Sequence, residues 1–245
     1  MGGRILSNFP RFTDLNAIAA EIEGMPEYRR VRSAIEKAAR AQSCVSDLAE
    51  AETCIAALDD ILSSVRRSGT KTRSATEAAL LRTAVTLYER ATAAGAKRGE
   101  RGSIQIAHHL TAHQLDDHNA LVELRQRSLA HVYPGAEVGG DIWHHELLML
   151  IEQGGPWKPA FASRRIQFHS DIFRRLKRQL PVALTLVQAR FHDSIRKLTE
   201  IMAEHPLPLE VFERHLFDPV EVFGNEGAVQ SLLDGQAEGR ASFLA

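Results

Sequence analysis

The chain has 245 residues, enough for one substantial hydrophobic core or a core with a small appendage. A 44% hydrophobic and 25% charged composition fits a globular protein, and a formal charge of −1 excludes a polybasic nucleic-acid binder while permitting local basic patches. No apolar run approaches the ~18 residues of a membrane span, and the N-terminal stretch has no apolar signal core, so a cytoplasmic protein with no membrane partner is expected.

In chain order, Thr13 is placed to cap a short helix from Asp14 to about Glu23, closed by Gly24. Pro26 suits the first turn of a second helix reaching about Ala41, and Ser46 is placed to cap a third that ends near Gly69. Cys44 and Cys54 lie roughly 15 Å apart along that helix, too far to bridge, and read as reduced core residues. Ser74-Ala75-Thr76-Glu77 has the form of a capping box and opens a helix to about Ala94. A short helix over 103–110 follows, and Thr111-Ala112-His113-Gln114, a second capping box, starts the helix that runs into Arg125.

Beyond Pro134 the pattern changes. The segments 146–152 and 160–168 flank Gly154-Gly155-Pro156 and predict a small β-hairpin. Ser170 or Asp171 then begins a long helix to about Glu204, with Pro181 kinking or dividing it. The expected fold is mainly α, an antiparallel helical bundle with a small β-hairpin insertion. Residues 1–204 are read as a single helical-bundle domain, and 205–245 as an acidic, partly ordered tail.

The near-zero net charge is a cancellation. Residues 66–101 carry nine basic side chains against three acidic ones, and 164–178 six against one. From residue 200 onward there are nine acids and only Arg214 and Arg240. Solvated helix faces explain such runs, and so does a polyanion-binding surface.

The chemistry-bearing stretch is Leu124-Arg125-Gln126-Arg127-Ser128-Leu129-Ala130-His131. Internal cleavage of RNA requires a base for the 2′-hydroxyl, an acid for the leaving oxygen, and positive charge for the phosphoryl oxygens. Histidine transfers protons near neutral pH, and arginine grips two phosphate oxygens at once. Six positions apart on an ideal helix, Arg125 and His131 stand about 120° apart. They converge only if the helix loosens at its end or a second copy supplies the complement. Arg127 and His131, four apart, share a face.

This run resembles the signature of HEPN domains, in which an arginine is followed four to six residues later by a histidine near a helix end. His118 and Leu121, ahead of it, resemble a variant of the same signature. Upstream, the segment 78–91, ending in Tyr88 and Arg90, is similar to the companion helix of that group. The resemblance covers about residues 44–133 and extends to the helix at 170–204. It implies a helical bundle that dimerises through its motif helices and a metal-independent endoribonuclease of the toxin–antitoxin or phage-defence kind, needing no cofactor. Arg125 and His131 would be catalytic, with Gln126, Arg127, Tyr133, Tyr88 and Arg90 in support. RNA, a second copy and an antitoxin or other partner protein would be its partners. Gln126 departs from the Asn, Asp or His common at that position in active members, although its amide still hydrogen-bonds phosphate. A non-catalytic binding or dimerisation module of a larger complex is the alternative, since some HEPN domains do not cleave.

The histidines of 108–118 offer a competing metal site, with His109 and His113 four apart and Asp116 or Asp117 as a carboxylate. The capping box at Thr111 starts a helix between those histidines and spoils their spacing, so no metal is assigned. His144 and His145, as neighbours, face opposite sides of any strand or helix.

Overall fold

A computed structural model describes residues 11–64, 70–95, 101–129, 137–138, 140–152, 154–224 and 230. Among the described residues the protein is mainly helical: α1 (Leu15–Glu21), α2 (Arg29–Ser63), α3 (Lys71–Thr92), α4 (Ala112–Leu124), α5 (Ser170–Glu204), α6 (Leu209–Arg214) and α7 (Pro219–Phe223). Six short strands accompany them: β1 (Phe12–Thr13), β2 (Glu137–Val138), β3 (Asp141–Ile142), β4 (His144–Ile151), β5 (Lys158–Arg165) and β6 (Leu216–Phe217). No helix among the described residues is long and apolar enough to cross a membrane. His131 and Tyr133 of the expected site lie outside the described residues.

The chain divides into two units, residues 1–37 with 196–245, and residues 38–195. In the first, β1 and β6 pair antiparallel, Phe12 opposite Phe217 and Thr13 opposite Leu216. Asp14, not Thr13, caps α1, accepting from the backbone N–H of Asn16 and Ala17. Thr13 instead donates its hydroxyl to the carbonyls of Phe212 and His215. Ile18, Ile22, Val31, Ile35, Leu198 and Val211 are buried in this unit. Arg214 and His215 flank Glu21 and hold its carboxyl below the usual carboxylate range.

The second unit holds the larger core, to which α2, α3, α4 and α5 each contribute, with Val138 and Trp143 from the strand region. Three boundary readings are corrected here. The two helices expected either side of Ser46 are one, α2. No Gly or Pro interrupts it, and the Ser46 hydroxyl bonds back to the Gln42 carbonyl instead of capping. Helix α3 begins at Lys71 under a Thr70 cap, so Ser74 and Glu77 lie inside it, and Glu77 pairs with Arg73 one turn back at 2.9 Å. Arg73 also bonds the Ile61 carbonyl and, at 3.1 Å, the Ser64 hydroxyl, tying the start of α3 to the end of α2. The helix expected over 103–110 is a single 3₁₀ turn, Ala107–His109.

Helix α5 runs through Pro181 without dividing. Pro181 and Lys177, whose carbonyl loses its donor, both lie on the exposed face, where water can substitute. The expected hairpin is present as β4 and β5, in register from His144 opposite Arg165 to Ile151 opposite Lys158. Its outer part carries Leu148, Leu150, Trp157 and Phe161 well exposed, while its base turns inward.

Candidate functional site

The arginine–histidine run begins where α4 ends, and there the helix changes character. Arg125–Leu129 forms a π-helical turn. Such turns are rare and recur at functional sites, because a residue inserted into the α-helical ladder re-aims the side chains that follow. A loosened helix end is one of the two ways the spacing allows Arg125 and His131 to converge, a second copy being the other.

Helix α4 is held in place by buried polar groups on its inner face. The Thr111–Gln114 capping box forms as expected. Asp117 is buried and takes a two-point grip from Arg178, Nε and Nη2 each at 3.0 Å, with Arg175 at 3.1 Å. His118 Nδ1 lies 2.7 Å from the hydroxyl of Tyr88, itself fully buried on α3. Burial drives the Tyr88 pKa upward and the His118 pKa downward. Tyr88 therefore stays protonated and His118 neutral, and the two share a buried hydrogen bond whose direction follows the His118 tautomer. Tyr88 is thus a core residue that positions α4; it does not line a cleft.

Arg125 lies against α3. Its Nε is 3.3 Å from Oε2 of Glu89, which is only 3% exposed. That oxygen has no aligned hydrogen bond, so the contact is a charge pairing across a short gap. Arg127 pairs with Glu123 at 2.7 Å on the outer face of the same helix. Gln126 is exposed. Arg90 is clamped by Asp47 on α2, with Nε at 2.9 Å and Nη2 at 2.5 Å, and Arg101 meets the same carboxylate at 2.6 Å.

Beside the π turn is a cavity of about 450 Å³. One wall is a stripe of α3: Arg82, Thr86 and Arg90 at intervals of four, with Thr83 and Leu87 beside them. The opposite wall is the π turn itself, through Ser128 and Leu129. The floor is the base of the hairpin, His144 and its cross-strand partner Arg165. Among the described residues, three guanidinium groups thus line the cavity and no carboxylate does. Arg90 and Arg165 have acidic partners outside the lining, Asp47 and Glu146. Arg82 bonds only neutral oxygens, the Ile166 carbonyl at 3.3 Å and Gln167 Oε1 at 3.5 Å.

The sequence reading singled out Arg90 in this cavity and missed the others. The i, i+4, i+8 spacing of Arg82, Thr86 and Arg90 was the available signal. His144 carried none, because its inward orientation depends on the hairpin's attachment to the core. It is 7% exposed, with Nε2 2.7 Å from the Ser128 carbonyl, whereas His145 is exposed as expected of its neighbour. Glu89 was also missed, since nothing in the sequence marks an acid on a helix as buried.

The histidines of 108–118 scatter. His108 and His109 stack at 4.0 Å beside a second cavity of about 350 Å³ that also has Arg40 and Arg190 in its walls. His118 belongs to the core, and His113 lies outside it. Among the described residues, no three His, Cys, Asp or Glu side chains are grouped as a metal would need. Burial raises the pKa of both thiols, Cys44 and Cys54, and so keeps them unreactive. No protein-family model, curated protein or solved structure matches the chain.

Proposed function

We propose that the chain is a HEPN-like, metal-independent endoribonuclease of the toxin or phage-defence kind, acting as a homodimer on RNA. The observation that carries this reading is the π turn at Arg125–Leu129 beside a cavity lined by Arg82, Arg90 and Arg165. The π turn supports one of the two geometries in which the motif's arginine and histidine could converge, and the surface next to it suits a polyanion.

In this reading Arg125 neutralises the scissile phosphate and His131 moves a proton as the 2′-hydroxyl attacks phosphorus and the 5′-oxygen leaves. The Glu89 carboxylate steadies the Arg125 guanidinium from behind. Arg127 and Gln126 are outer contacts to the strand, and Arg90 belongs to the cavity wall.

The pairing of Arg125 with buried Glu89 also favours a second reading, a non-catalytic HEPN-like binding or dimerisation module, since it gives that arginine a structural task. An assay on varied RNAs with chelator present separates the two. Wild type should cleave, and His131→Ala should not while melting at the same temperature. Binding without cleavage selects the module. Cleavage that survives His131→Ala, or that chelator abolishes, overturns the proposed mechanism.

A further inference from the structure

Two residues that line one cavity each bury a polar atom without a hydrogen-bond partner. Arg82 Nε, a donor, and His144 Nδ1 both lack a hydrogen bond and are shielded from solvent. Orphaned buried groups are costly and uncommon, and two on residues of one cavity wall point to a ligand that satisfies both once the wall opens. The second bond of His144 fixes what it offers. The Ser128 carbonyl can only accept, so Nε2 carries a proton, and in the neutral imidazole that tautomer leaves a lone pair on Nδ1. The cavity therefore asks for acceptors facing its guanidinium groups and a donor facing His144.

A bare phosphodiester supplies acceptors alone. A phosphodiester with a ribose 2′-hydroxyl beside it supplies both. We infer that this cavity holds one ribonucleotide unit of an RNA strand, with Arg82 on the phosphate and His144 accepting a hydrogen bond from the 2′-hydroxyl. This makes His144 the residue that distinguishes RNA from DNA. The inference rests on the RNA reading above but assigns residues other than Arg125 and His131. Access to the two atoms requires a rotamer change, and Arg165, half-exposed on the hairpin, is the wall member with room to make one.

The test is fluorescence anisotropy on the full chain at low salt, with a labelled oligoribonucleotide and its 2′-deoxy counterpart. Wild type should bind the ribo strand about five- to tenfold more tightly, the worth of one hydrogen bond. His144→Gln keeps a donor for the Ser128 carbonyl but carries its acceptor on Oε1 instead of at the ring Nδ1 position, so its preference should fall toward one. Arg82→Gln should weaken both strands by a similar factor of about ten. Should His144→Gln not fold, 2′-O-methyl RNA on the wild type asks the same question, and its affinity should drop to the DNA level. Equal wild-type binding of RNA and DNA, or an undiminished preference in a folded His144→Gln, overturns the inference. If His131-dependent cleavage persists in that case, the ribonuclease reading stands without it. If neither polymer binds and nothing is cleaved, both fall.

Discussion

Arg125 Nε and Glu89 Oε2 lie 3.3 Å apart, and the carboxylate end of that pair is buried while the guanidinium end is about one-third exposed. The pair ties the π turn to α3 and couples the candidate catalytic arginine to fold stability. An alanine at 125 therefore reads out two effects at once.

Arg125→Ala strands a buried carboxylate, and its expected cost is about 1–3 kcal/mol. Adding Glu89→Gln removes the stranded charge and should recover most of that loss in urea unfolding midpoints. If Arg125→Ala alone is neutral, the pairing contributes nothing and loss of cleavage in that variant can be read directly as chemistry. If the double variant is folded, stable and still inactive, Arg125 acts on RNA.

Tyr88→Phe leaves His118 Nδ1 without its partner in the core and should cost about 1–3 kcal/mol by the same measurement. A far smaller cost would mean that another buried group takes over the bond.

Stability should also depend on pH through His118. Burial lowers its pKa from the ordinary 6.5, so the unfolded chain binds a proton before the folded one does. Its contribution is therefore intact above about pH 6.5 and declines as pH falls from there toward the folded-state value. Thermal melts between pH 8 and 5 should show that decline, and His118→Gln should flatten it. An identical slope in the variant assigns the pH dependence elsewhere.

The hairpin and its base should respond oppositely to truncation. Leu148 and Phe161 are cross-strand partners at 78% and 65% exposure, so replacing both with Ser should shift global stability by no more than about 1 kcal/mol. Trp143, 2% exposed with its indole N–H 3.3 Å from the Val138 carbonyl, is part of the core, and Trp143→Ala should cost about 3–5 kcal/mol. Comparable losses in the two variants would contradict the division between outer hairpin and buried base.

Asp117→Asn weakens the grip of Arg175 and Arg178 on α4 and should cost about 1.5–3 kcal/mol. Amide hydrogen exchange should accelerate in Ala112–Leu124 more than in Lys71–Thr92. Uniform acceleration would mean the grip serves the whole unit instead of that helix.

Local chemistry made much of this legible in the sequence. The Thr111–Gln114 box started α4 where expected, because both of its hydrogen bonds are made within four residues. The hairpin around Gly154 and the run of α5 from Ser170 to Glu204 followed from turn residues and periodicity. Where sequence failed, a signal had two local uses. Ser46 and Ser74 look like caps, but in an uninterrupted helix a serine hydroxyl can bond backward or face solvent, and packing decides between these. Tertiary structure alone decided which polar side chains are inside. Glu89 is unmarked in the sequence, and Tyr88, Asp117, His118 and His144, noted there for other reasons, show their burial only where partners from other elements close over them. The arginine–histidine stretch shows the same division. Its spacing on an ideal helix left a loosened turn or a second copy as the ways to converge, and Arg125–Leu129 forms a π turn. The arginine-lined cavity beside that turn depends on α3, the π turn and the hairpin base meeting, and no local pattern encodes that meeting.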